Sequence, residues 1–258
     1  MLRVNDLSRI LRRDRVSSRA RLDLTLAYEN VYVIGDIHGC FDQLMSLEQK
    51  IYAEKKSSEQ DDLIVTLGDY VDRGPRSADV IEHLLAPPEA NFKRICLLGN
   101  HELAMLNYLE SRLPLQSWMA FGGTQTLLSY GIDIDRLETI YSKSKQVDEK
   151  IRELVPNSHK QFLKDLPILI QTQRFLFVHA GIRPNVDIED QKDHDLITIR
   201  DEFYKNADLS DYIVIHGHTP VKSPQLKTNR LNIDTGAYRS GVLSAVKLNQ
   251  DGIKFLSS

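Results

Sequence analysis

Five short stretches of the chain share one pattern: an apolar, largely β-branched or aromatic run closed by a glycine-containing polar turn. "VYVI" runs into Gly35-Asp36, "DLIVTL" into Gly68-Asp69, "RICLL" into Gly99-Asn100, "RFLFV" into His179-Ala180-Gly181, and "DYIVI" into His216-Gly217-His218. Runs this short and this apolar predict buried strands. Helical spacing appears between the first three. Residues 41–55 place Leu44, Leu47, Ile51 and Tyr52 on one face, and residues 77–86 begin with a serine cap and stop before Pro87-Pro88. Strand, helix, strand, helix, strand predicts parallel strands joined by crossovers, with the polar groups beyond their carboxyl ends gathered in one crevice.

The pattern breaks at about residues 103–166. There, 118–131 and 146–167 predict helices interrupted by glycine and proline, a helical cap inserted between two halves of the sheet rather than a separate domain. From Leu226 to Phe255, short apolar runs alternate with polar turns and predict antiparallel strands.

Composition narrows the class. The chain has 258 residues, 41% apolar and 27% charged, enough for one soluble α/β domain with a sizeable core. A formal net charge of -3 speaks against a general nucleic-acid binder, and no apolar run is long enough to cross a bilayer. The first 21 residues hold seven arginines against two aspartates and lack the apolar core of a secretory signal. Residues 1–25 are therefore expected as a basic extension, frayed or weakly helical with a solvated face, and residues 26–258 as a single domain. The two cysteines, Cys40 and Cys96, form no CxxC pair, which points to a reducing cytoplasm and to Cys40 as a packed thiol.

The strand ends carry the candidate chemistry: Asp36, His38, Asp69, Asn100, His179 and His218. Carboxylate, imidazole and amide donors without a thiolate suit divalent manganese, iron or zinc. Asp36 and His38, two apart on extended backbone, project from one side. A central Asp69 could give one oxygen to each of two ions, which would polarise a phosphoryl group and acidify a water. The same turns add Asp72 and Arg73 in "GDYVDRG", and His101 and Glu102 in "GNHE". A guanidinium matches phosphate oxygens in pairs, and a histidine held by an aspartate can protonate a leaving alkoxide.

In order and spacing, "GDIHG", "GDYVDRG" and "GNHE", followed by "HAG" and "GHTP", resemble the motifs of the phosphoprotein phosphatase branch of the calcineurin-like metallophosphoesterases. "FVHAGIRP", "IRDEF" and "NIDTGAY" look especially like its bacterial serine/threonine phosphatase members. The resemblance covers residues 31 to about 248. It implies a four-layer α/β/β/α sandwich around a dinuclear centre: Asp36 and His38 on one metal, Asp69 bridging, and Asn100, His179 and His218 on the other. It further implies His101 as general acid paired with Asp72, Arg73 and Arg200 as phosphate ligands, and in-line attack by a metal-bridging hydroxide without a phosphoenzyme. His216 is expected to be packed, Glu102 to hold its loop by hydrogen bonds, Trp118 to lie in the core, and Tyr238 to pack near a strand end. Asp201 and Glu202 are expected as solvated charges. The leading expectation is hydrolysis of phosphoserine or phosphothreonine, on a protein or a small phosphoester, by an enzyme of the cytoplasm with two divalent ions, most readily manganese in vitro. The alternative is hydrolysis of dinucleoside polyphosphates. A non-catalytic scaffold is disfavoured because every motif residue is present.

Overall fold

The computed structural model describes residues 11–12, 19–24, 28–55, 60–206 and 211–258. In chain order the elements are β1 (Leu11–Arg12), β2 (Arg21–Asp23), β3 (Val31–Ile34), α1 (Phe41–Ala53), β4 (Asp62–Thr66), α2 (Ser77–Leu85) and β5 (Phe92–Cys96). Then come α3 (Asn100–Leu109), α4 (Leu115–Met119), α5 (Gly123–Ser129), α6 (Ile134–Ile140), α7 (Ser144–Leu154) and α8 (Asn157–Asp165). The second half holds β6 (Leu169–Gln171), β7 (Phe175–Val178), α9 (Asp193–Thr198), α10 (Asp201–Asn206), β8 (Ile213–His216), β9 (Gln225–Leu226), β10 (Arg230–Asn232), α11 (Ala237–Ser240), β11 (Ser244–Asn249) and β12 (Gly252–Ser257).

The strands form two mixed sheets, ordered β12-β11-β3-β4-β5 and β1-β2-β6-β7-β8-β10-β9. Strands β3, β4 and β5 run parallel, as do β7, β8 and β10. The two-residue pleat explains why the strands read as continuous apolar runs. Val33, Leu63, Val65, Phe177, Ile215, Leu231 and Val246 fill one cluster between the sheets. Their neighbours Tyr32, Ile34, Ile64, Leu176, Val178 and Val214 turn outward to a second cluster shared with the helices. The architecture is the expected α/β sandwich of two sheets between helices.

Four local expectations change. Arg21–Asp23 is a strand parallel to β6, so the folded sheet reaches into the segment expected as an extension. Leu22 and Leu24 enter the cluster around the inner faces, while Arg21 donates to the carbonyl of Ile188 at 2.6 Å and Arg19 to that of Lys164 at 2.7 Å. The arginine count hid this two-residue alternation, because these guanidinia bind backbone carbonyls far along the chain. Residues 1–10, 13–18 and 25 of that segment lie outside the described residues. Strand β10 pairs parallel with β8 and antiparallel only with β9, whereas β11 and β12 are antiparallel as expected. Ser77 caps nothing; it is buried, and its hydroxyl lies 3.2 Å from that of Thr126. Finally, α8 packs on α2 and α3, so part of the expected cap completes the helical layer beside the five-stranded sheet.

A buried ionic cluster ties that layer to the sheet. Glu48 on α1 accepts from Arg94 on β5 at 2.9 Å, lies 2.6 Å from His83 Nε2 on α2, and accepts from Tyr52 at 3.1 Å. Burial pushes the Glu48 carboxyl up, but the His83 hydrogen bond and the Arg94 charge outweigh it and hold it below its ordinary value. A depressed carboxyl contributes stability above its unfolded pKa and loses it as pH falls through the folded one. Glu48→Gln is therefore expected to cost about 3 kcal/mol or more near neutrality. Urea unfolding should show the difference shrinking on acidification through the carboxylate range.

Candidate metal centre

Every strand-end motif delivers its polar residue to one crevice. Asp36 and His38 follow β3, Asp69 follows β4, and Asn100 and His101 open α3 after β5. His179 follows β7, and His218 follows β8. Asp69 stands at the centre: its Oδ2 lies 3.4 Å from His38 Nε2 and its Oδ1 3.4 Å from His179 Nε2. Two donor groups share it, one with His38 and His101, the other with His179 and His218. In each group the donor atoms lie within 4.8 Å of one another, all on buried residues, a geometry that could hold a cation.

The imidazoles are oriented for ligation. His38 Nδ1–H donates to the Val71 carbonyl at 2.8 Å, and His179 Nδ1–H to that of Leu67 at 2.9 Å, so both Nε2 lone pairs face the crevice. Burial lowers the His179 pKa and takes His38 down to about 3; burial and then His179 take His218 to about 2, which favours the neutral, ligating form. Asn100 Oδ1 lies 3.0 Å from His179 Nε2, acceptor against lone pair, which a cation between them would relieve. Asp36 and Asp69 are both buried, and among the described residues no lysine pairs with either, which makes the same demand. Burial, then Asp234 and Asp69, push the Asp36 carboxyl well above its ordinary value. Burial also opposes the charge on Asp69, but the surrounding histidines hold its pKa down. The donor set therefore fits two divalent ions.

The backbone is bent to bring these groups together. Five of the eight non-glycine residues with positive φ among the described residues belong here: His38 (47°), Asp69 (53°), Asp72 (69°), Arg73 (69°) and His218 (65°). Left-handed backbone at such residues costs energy, and its concentration in one crevice marks a site that the surrounding fold over-determines. Glu102 supplies much of that constraint. Its Oε2 accepts from the N–H groups of Asp69 (2.7 Å) and Gly99 (3.0 Å), and its Oε1 from Tyr70 (2.7 Å) and Val71 (3.2 Å), the loop-holding role expected of it. At Gly217 a Cβ would collide with the Asp36 carboxylate, which accepts the His218 N–H at 3.0 Å.

Beside the first donor group, His101 Nδ1–H donates to Asp72 Oδ2 at 2.8 Å. Burial opposes protonation of His101, but Asp69 and Asp72 raise its pKa above the ordinary histidine value. Asp72 is fixed in turn by Trp118 Nε1–H (3.1 Å) and the Thr126 hydroxyl (2.8 Å). Arg73 places its two terminal nitrogens 3.0 Å from Nε2 of His38 and of His101, and its guanidinium lies 4.8 Å from the Tyr238 ring centroid. Arg200 is exposed between α9 and α10, close enough for its charge to lower the pKa of His179 and His218.

The remaining singled-out residues fall where their sequence reading puts them, and one further carboxylate joins the site. His216 is buried against the rings of Phe203 and Tyr204 and takes no part in the donor groups. Cys40 is buried, with burial raising its thiol to about 11, which leaves it an inert packed group. Asp201 and Glu202 are exposed, the solvated charges expected, and pair at the surface with Lys205 at 3.4 Å and Arg183 at 2.7 Å. Trp118 is core, as expected, and also a hydrogen-bond donor to Asp72. Asp234, buried beside Asp36, is an addition. The run "LNI" that precedes it repeats the apolar-then-Asp pattern of the other strand ends and would have marked it.

Two sheets between helices, with Asp, His and Asn side chains gathered at the strand ends, define a metallophosphoesterase. The chain belongs to the calcineurin-like phosphoesterase family, whose sequence profile matches residues 29–243. Among curated proteins, it is 28% identical to the asymmetrical bis(5'-nucleosyl)-tetraphosphatase PrpE of Anoxybacillus flavithermus, over 83% of this chain and 89% of that one. It is 26% identical to the protein of the same name from Bacillus subtilis, over 82% and 86%. Among solved structures, a putative diadenosine tetraphosphatase superposes with a TM-score of 0.64 at 20% identity, covering 93% of this chain and 98% of that one. A serine/threonine phosphatase of Saccharomyces cerevisiae superposes at 0.57 with 14% identity, covering 92% and 82%. At those identities the structures speak for the fold alone. The names of these curated relatives carry the second of the two activities expected from the sequence.

Proposed function

We propose that this chain is a metal-dependent hydrolase of dinucleoside tetraphosphates, cleaving them asymmetrically to a nucleoside monophosphate and a nucleoside triphosphate. The observation that carries the reading is the similarity to tetraphosphatases over more than four fifths of the chain. In this reading Asp36, His38 and Asp69 hold one ion, and Asp69, Asn100, His179 and His218 the other. Manganese, iron and zinc suit those oxygen and nitrogen donors. Bound there, the ions supply Lewis-acid polarisation of the phosphoryl oxygens and lower the pKa of a water for in-line attack.

The protein's own groups do the rest. Arg73, propped by Tyr238, would turn its terminal N–H groups, which meet Nε2 of His38 and His101 in the structure, to the oxygens of the phosphate under attack, and Arg200 adds charge on the His179–His218 side. His101, with Nδ1–H tied to Asp72, carries its exchangeable proton on Nε2, the atom facing Asp69 and Arg73, and passes it to the departing oxygen. Water adds to one phosphorus and loses a proton to solvent, the bridging P–O bond breaks, the leaving phosphate takes up the His101 proton, and His101 is reprotonated from solvent.

The test is a comparison on the manganese-supplemented protein. Diadenosine tetraphosphate should yield AMP and ATP in equal amounts, at a kcat/KM well above that on a phosphoserine peptide. A preference for the phosphopeptide would return the protein to the phosphoprotein phosphatase reading. Two molecules of ADP would refute the asymmetry.

A further inference from the structure

The end of α4 and the turn into α5, residues 118–122, touch the machinery at three points. Trp118 holds Asp72, the Gly122 carbonyl accepts the Arg73 N–H at 3.2 Å, and the Phe121 ring meets the His101 ring edge-on with centroids 5.6 Å apart. Phe121 is 44% exposed, although it sits beside one of the most buried histidines of the chain. A large apolar ring left in solvent at the mouth of a charged crevice needs a reason, and packing supplies none.

Tyr238 is the corresponding aromatic on the His38 side, with ring centroids 5.3 Å apart. Its ring, however, is engaged by two guanidinia, Arg73 at 4.8 Å and Arg239 at 5.2 Å. Among the described residues no cation lies over Phe121, so its exposed side is free for a ligand. We propose that Phe121 is a specificity-determining platform on which a nucleobase of the substrate stacks, while the neighbouring phosphate lies against the adjacent Arg73–His101 pair. The proposal rests on the reading of the substrate as a nucleotide. Phenylalanine offers a π-face and no hydrogen-bonding group, so the platform selects for a base without selecting which one.

Calorimetric titration of the manganese-loaded full chain tests this without relying on turnover. AMP should bind about tenfold tighter than ribose 5-phosphate, which carries the same phosphate and sugar but no base. GMP should match AMP within a few-fold. Phe121→Ala should bring the AMP to ribose 5-phosphate ratio close to one, and Phe121→Trp should restore it. Phe121→Leu, which keeps an apolar side chain, carries the test if the alanine variant fails to fold. Equal binding of AMP and ribose 5-phosphate by the unaltered protein, or an undiminished ratio in Phe121→Ala and Phe121→Leu, overturns the platform. A protein that discriminates AMP through Phe121 but leaves diadenosine tetraphosphate intact keeps the platform and refutes the proposed reaction. One that cleaves it without discriminating does the reverse.

Discussion

Asp69→Asn is expected to lower turnover about 10³-fold or more and to strip metal from the protein, with the fold intact. The carboxylate faces His38 with one oxygen and His179 with the other, each at 3.4 Å, and an amide leaves a single oxygen for both halves. It also removes the one carboxylate central to both donor groups. Asparagine is the informative substitution because it tolerates the left-handed backbone at φ 53° and can still accept the His101 N–H, seen at 3.1 Å. The check is metal content per chain after desalting, measured alongside kcat and thermal unfolding. Full metal content in an inactive variant would remove Asp69 from the role of shared ligand.

His101→Asn should produce the second large effect, of a different kind. Loss of a positioned proton donor costs about 10²- to 10⁴-fold in kcat, and metal should stay bound because the remaining donors are intact. The loss should depend on the leaving group. An alkyl phosphomonoester expels an alkoxide that needs a proton. A dinucleoside tetraphosphate expels a phosphate oxygen that ionises near neutrality, with a second pKa of about 6, and so depends less on one. Measured on both substrates, the variant should lose much more on the alkyl ester. Equal losses would make His101 a positioning group for Arg73 rather than the acid.

The strand ends were legible because two simple signals coincide there. Buried parallel strands lack alternation, so each apolar run stops abruptly, and the first polar residue after it is conspicuous. Asp36, His38, Asp69, Asn100, His179 and His218 were all visible in that way, and the structure brings them to one crevice. What stayed hidden depends on contacts distant in sequence. The hold of Trp118 and Thr126 on Asp72 spans 46 and 54 residues, and no local pattern reports it. Strand β2 is only three residues long and opens on Arg21 just after Arg19, so charge masked its pleat. Asp234 follows the strand-end pattern, but the short β10 before it reads from sequence as part of an antiparallel tail. The substrate was least legible of all. One donor set serves a phosphoserine and a polyphosphate alike, and the choice is made by exposed residues such as Phe121, which carry no motif.

The most direct measurement of the account is a manganese titration of the chelated, metal-free protein with diadenosine tetraphosphate as substrate. Activity is predicted to start from zero and to rise to saturation at two equivalents of manganese per chain, with AMP and ATP appearing together. Full cleavage by the metal-free protein would contradict the assignment of this crevice as a dinuclear hydrolytic centre.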